Sequence, residues 1–106
     1  MRTIRDLFGR NVRLTDERLA HVLHSHPEMN GKLRTLQGTL REPDVIVASS
    51  SDDDVELFYR HKQRTPFGEK YFCAVVKKID DDLFILTFYF TDVIKKGKLI
   101  WKAKEK

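Results

Sequence analysis

The sequence predicts an α+β fold in which two N-terminal helices pack on one face of a four- to five-stranded antiparallel sheet. Three observations lead there. Apolar residues recur at helical spacing between Thr15 and Glu42, the apolar period switches to two from Val45 onward, and the later segments are joined by short aspartate-rich turns. Helices first and strands afterwards imply a helical layer on a sheet rather than alternating βαβ units. Short turns between successive strands imply antiparallel hairpins.

Each element has its own justification. Residues 1–14 mix Ile4, Leu7, Phe8, Val12 and Leu14 with four arginines and read as a short helical turn or an extended arm over the core. A helix should start at Thr15, a good N-cap, with Asp16 and Glu17 complementing the positive end of the dipole. Leu19, Val22 and Leu23 form its apolar stripe and Pro27 stops it. A second helix fits Asn30 to Glu42, with Leu33, Leu36 and Leu40 on one face; Gly38 weakens it and Pro43 ends it. Strands follow at Val45–Ala48, Val55–Lys62, Lys70–Lys78 and Leu83–Thr91, and Leu99-Ile100-Trp101 is a candidate edge strand beyond Gly97. Turns fall at Asp52–Asp54 and Asp80–Asp82, with Phe67-Gly68 in the loop between them.

A chain of 106 residues can bury one core, and without repeats or a Pro/Gly/Ser linker residues 1–106 read as a single domain. No apolar run approaches the ~20 residues that span a bilayer. The start Met-Arg-Thr-Ile-Arg-Asp has no apolar stretch of a secretory signal. The expectation is a cytoplasmic protein with no membrane partner. Cys73, the single cysteine, permits no intrachain disulfide and no thiolate cluster, and its apolar neighbours suggest a buried thiol. Residues 1–91 carry 14 basic and 14 acidic side chains, so the formal charge of +4 lies wholly in the last 15 residues. Lys95, Lys96 and Lys98 belong to this basic end, which can attract a polyanion such as RNA or serve as a solvated tail.

The strand Leu83–Thr91 is the richest in chemistry. Alternation puts Phe84, Leu86, Phe88 and Phe90 on one apolar face, expected beneath the helices. Thr87, Tyr89 and Thr91 then project together from the other face, where hydroxyls can hold a phosphate or a base. On the neighbouring strand Arg60 and Lys62 share one side, Tyr59 and His61 the other, and the sequence leaves open which pair lies beside Thr87. Arg60 and Lys62 there would form an anion site. His21, His24 and His26 supply imidazoles suited to proton transfer near neutrality. As a metal set they fail: His26 lies on a different helical face, and no cysteine or well-spaced acid completes the ligands. No metal and no cofactor is expected. The aspartate triplets lack the Gly and final Glu of a calcium loop and read as turns.

Taken in order, several segments resemble the phage-associated branch of the barnase–EndoU–colicin–RelE group of nucleases. They are Arg13-Leu14-Thr15-Asp16-Glu17-Arg18 leading through His21 to His26-Pro27-Glu28, then Glu42-Pro43-Asp44, Leu57-Phe58-Tyr59-Arg60, Val75-Val76-Lys77, Leu86-Thr87-Phe88-Tyr89, and Thr91 through Gly97 to Trp101. The resemblance implies a RelE/barnase-like fold with the active site on the open face of the sheet. It also implies metal-independent endoribonuclease activity by 2′-hydroxyl attack on the adjacent phosphate, in a toxin-like or phage-related protein with a cognate antitoxin as a further partner. It would make His26, with His21 as a second candidate, an acid or base, Arg60 the stabiliser of the phosphorane, and Thr87 and Tyr89 the groups that orient the phosphate. Lys62, Thr91, Lys95, Lys96 and Lys98 would hold RNA. The alternative is a catalytically inactive RNA-binding module or protein-interaction domain of the same fold.

Overall fold

The structure, a computed structural model, describes residues 2–65 and 68–104, with the side chains of residues 62–64 outside the description. The chain opens with a hairpin, β1 (Arg2–Arg5) and β2 (Asn11–Leu14), before helix α1 (Asp16–Ser25). A single 3₁₀ turn (Pro27–Met29) leads to α2 (Leu33–Arg41). Strands β3 (Val45–Ser49), β4 (Val55–Thr65), β5 (Gly68–Ile79), β6 (Asp82–Thr91) and β7 (Gly97–Lys102) complete one sheet in the order β1-β2-β6-β5-β4-β3-β7. The expected loop at Phe67-Gly68 lies in part outside the described residues, and Gly68 opens β5 at φ 96°.

This corrects the expected architecture of two N-terminal helices on a four- to five-stranded antiparallel sheet. The sheet has seven strands among the described residues and is mixed, because β2 runs parallel to β6 through Val12↔Leu83 and Arg13↔Phe84. The N-terminal arm is a hairpin because Ile4, Val12 and Leu14 point inward while Arg2, Arg5 and Asn11 stay exposed. Each arm has only four residues, and Leu7 and Phe8 in the turn blur the alternation into something close to helical spacing. Asp6 organises that turn: its carboxylate accepts from the Phe8 and Arg10 amides (3.0 and 2.8 Å) and from Arg10 Nε (2.8 Å).

Helix α1 begins as expected, with Thr15 Oγ1 accepting from the Arg18 amide at 3.1 Å. Val22 is buried beneath it, and α2 buries Leu36, Thr39 and Leu40. The helix-side core joins Val22, Leu36 and Leu40 to Ile4, Val12, Leu14, Met29, Ile46, Phe58, Phe72, Ala74, Val76, Leu83, Ile85 and Phe88. Helix α2 touches β5, β4 and β1, and the Leu7 amide donates to the Leu40 carbonyl at 2.8 Å. Arg10, from the hairpin turn, reaches Glu56 on β4 at 2.6 Å. The sheet therefore curls round α2, bringing an outer hairpin back to a strand three places away.

The opposite face carries a second cluster: Val47, Leu57, Tyr59, Cys73 and Val75, flanked by Leu86 and Tyr89. Residues 92–96 connect β6 to β7, which lies beyond β5, β4 and β3 in the sheet. They leave Thr91, paired with Tyr71, and arrive at Gly97, paired with Ser49 at the other end of β3. On the way the Lys95 amide donates to the Tyr59 hydroxyl at 3.1 Å. Gly97 is where this strap docks: a Cβ there would stand 2.1 Å from the Ala48 carbonyl oxygen.

The facing of β6 also differs from strict alternation. Val75 pairs with Thr87 and Val76 with Ile85, so Leu86 is an extra residue, a β-bulge. Before the bulge Leu83 and Ile85 point to the helix side; after it Phe88 and Phe90 do. Leu86 sits in the second cluster instead of beneath the helices, because one inserted residue reverses the facing of everything on its far side.

Candidate functional site

Strand β2 ends at Leu14 and pairs with β6 only as far as Phe84. Past that point α1, rather than a strand, packs against β6. A small open cleft of about 190 Å³ lies between them, lined by Arg18, His21, Val22, Ser25 and His26 from the helix and by Leu86 and Thr87 from the bulge. Arg18, His21 and Ser25 are at helical spacing on one flank of α1. His26 joins them because the helix stops there: it is the C-cap, with φ −133° and ψ 72°, and its amide still donates to Val22. Continued helical geometry would have aimed it elsewhere. Its ring packs against Tyr89, with centroids 5.6 Å apart, and Glu28 Oε1 lies 3.4 Å from Nδ1.

Thr87 pairs with Val75, Tyr89 with Cys73 and Thr91 with Tyr71, so all three stand on the second face. Tyr89 and Tyr59 both reach the Cys73 thiol. Burial, then the neighbouring thiol, pushes the Tyr89 phenol well above its ordinary value, so it faces His26 as a neutral group. The register answers the question of which side of β4 shares this face. Tyr59 and His61 do, His61 lying against Tyr71 with centroids 5.5 Å apart.

Arg60 does not line the cleft. It pairs with Phe72 of the helix-side core and emerges beside Arg34, Thr35 and Gly38 of α2. Lys62 on β4 stands opposite Lys70 on β5, the Lys62 side chain lying outside the description. Lys95, Lys96 and Lys98 are exposed along the strap and the start of β7, while the Thr91 hydroxyl closes a turn by accepting from the Val93 amide at 3.3 Å. His24 faces solvent beside Ala20 and His21. Among the described residues no group of three or more His, Cys, Asp or Glu is close enough to hold a metal ion, and no helix is long and apolar enough to cross a membrane.

Sequence reasoning passed over Arg18, Ser25 and Glu28. The spacing of Arg18, His21 and Ser25 was a signal for the first two, since it marks a polar flank beside an apolar stripe. Glu28 had none, because its position depends on the 3₁₀ turn that follows the cap. No family model, curated protein sequence or solved structure matches this chain.

Proposed function

We propose that this protein is a metal-independent endoribonuclease whose active centre is the cleft between α1 and the bulge of β6. The observation that carries the reading is the meeting of His21 and His26 in one cleft with Arg18, Ser25 and Thr87. Two imidazoles can act as base and acid in cleavage of RNA by its own 2′-hydroxyl, and a guanidinium can stabilise the phosphorane. His26, with Glu28 at Nδ1, takes the proton from the 2′-hydroxyl as that oxygen attacks phosphorus. His21 gives a proton to the departing 5′-oxygen, so the P–O5′ bond breaks as P–O2′ forms. Arg18 and the Thr87 hydroxyl hold the phosphorane oxygens, where preorganised donors are worth most. The products are a 2′,3′-cyclic phosphate and a 5′-hydroxyl. The lysines of the strap would guide the strand electrostatically.

The test is cleavage of mixed single-stranded and structured RNA in EDTA. The expected result is cyclic-phosphate ends, with the rate cut at least ~100-fold in His26→Ala and His21→Ala, as befits loss of a proton-transfer group. RNA retained in a gel shift without cleavage would instead support a binding module built on Lys95, Lys96 and Lys98. Neither cleavage nor binding would dispose of both.

A further inference from the structure

We infer that Arg60 and Arg34 form a separate binding site for a phosphate group on the helix-bearing side of the sheet. Arg60 projects from β4 against α2, and its Nη1 lies 2.7 Å from where a Cβ on residue 38 would stand. A glycine inside a helix costs about 1 kcal/mol relative to alanine. Here it opens the notch that the guanidinium occupies. Arg34, exposed and one helical turn before Gly38, and Thr35 line the rest of an open cavity of about 200 Å³, and no acidic side chain lines it.

The charge balance points to an anion. Three arginines are half-buried among the described residues. Arg10 is paired with Asp6 and Glu56, and Arg13 with Asp82. Arg60 has no ion-pair partner among the described residues, and the cation nearest to it in the cavity is another arginine. A half-desolvated guanidinium set beside a second one is unfavourable unless something negative joins them. Two fork-shaped donors lining one cavity from a strand and a helix, with a threonine between them, suit a tetrahedral, multiply charged oxyanion better than a planar carboxylate. The site is independent of the histidine cleft and would stand if that cleft proved inert.

The experiment is an amide-resolved NMR titration of the full chain with inorganic phosphate replacing chloride at constant ionic strength. Saturable shifts of the Thr35 and Gly38 amides are expected. They should disappear in Arg60→Ala and weaken several-fold in Arg34→Ala, while any phosphate response at Thr87 persists. The same spectra report whether each variant is folded. Should Arg60→Ala not fold, Arg60→Lys, which keeps the charge but lacks the fork, should bind about tenfold more weakly. Adenosine 5′-monophosphate and a 2′-O-methyl oligoribonucleotide, titrated in parallel, separate the sources: tighter binding than inorganic phosphate assigns a nucleotide or strand phosphate, equal binding the free ion. An absence of saturable shifts in the wild type, or shifts unchanged in a folded Arg60 variant, overturns the site. Loss of RNA cleavage in His26→Ala has no bearing on it.

Discussion

Cys73 is fully buried between the phenols of Tyr59 and Tyr89, and this cluster gives the molecule a pH-dependent weakness. Burial pushes the thiol up from 9.0 to about 11. Burial likewise raises Tyr59 from 10.0 to about 12, against the hydrogen bond from the Lys95 amide. Groups whose folded values are raised keep protons that the unfolded chain has lost, so their contribution is intact below 9.0 and fades as pH rises toward 11. The expected loss is on the order of 2 kcal/mol by the upper end of that window, read as a falling urea midpoint. Cys73→Ala should hold its midpoint until unfolded-state tyrosines ionise near 10.0. An identical decline with and without the thiol would refute this account. The buried thiol was legible in the run Tyr71–Val76. Its contact with Tyr89 was not, because two strands had to be aligned first.

At the scale of elements, local chemistry was a good guide. Thr15 caps α1, the helix ends before Pro27, and β3 to β7 overlap the expected strands, since caps, prolines and period-two runs act within a few residues. The bulge at Leu86 was not legible: an inserted residue is visible only against the partner strand. The same bulge sets Thr87 beside α1, so the strand wall of the candidate cleft was hidden with it. Arg60 was legible as a candidate anion ligand but not as a neighbour of Gly38, which needed the helix laid across β4. Strand β7 carries a different risk. It ends the sheet, with Leu99 and Ile100 exposed along it, and Lys98 and Lys102 flank them. Charged side chains on an edge strand discourage pairing with another copy. Replacing both lysines by threonine should leave the monomer folded but produce concentration-dependent association in sedimentation velocity. A strictly monomeric double variant at high concentration would show that the lysines have no such role.

At the scale of the whole molecule, the N-terminal hairpin is held to the rest by polar bonds as well as by Ile4, Val12 and Leu14. Asp6 fixes Arg10, and Arg10 carries the connection across to Glu56. Burial works against the Arg10 charge, but hydrogen bonds to Glu56 and Asp6 outweigh it and hold the guanidinium above its ordinary value. Asp6→Ala would strand the Phe8 and Arg10 amides and leave the Arg10 guanidinium with Glu56 alone, at a cost of roughly 2–4 kcal/mol. Hydrogen exchange should quicken at Ile4 and Val12 before it does at Phe72 or Phe88. Equal acceleration in all four would mean that the hairpin does not open separately. None of this was visible in the sequence, where Asp6 and Glu56 are 50 positions apart.

The parallel pairing of β2 with β6 joins residues 12 and 83, a contact of long sequence separation that favours a late place in assembly. The strand that β2 must lie against is synthesised about seventy residues after it. Until then Val12 and Leu14 have no sheet to cover them. Ordering so long an intervening chain before any contact rewards it slows folding. The β3–β4–β5–β6 meander, whose neighbours are consecutive in the chain, can form first and present β6 as the template on which the hairpin closes.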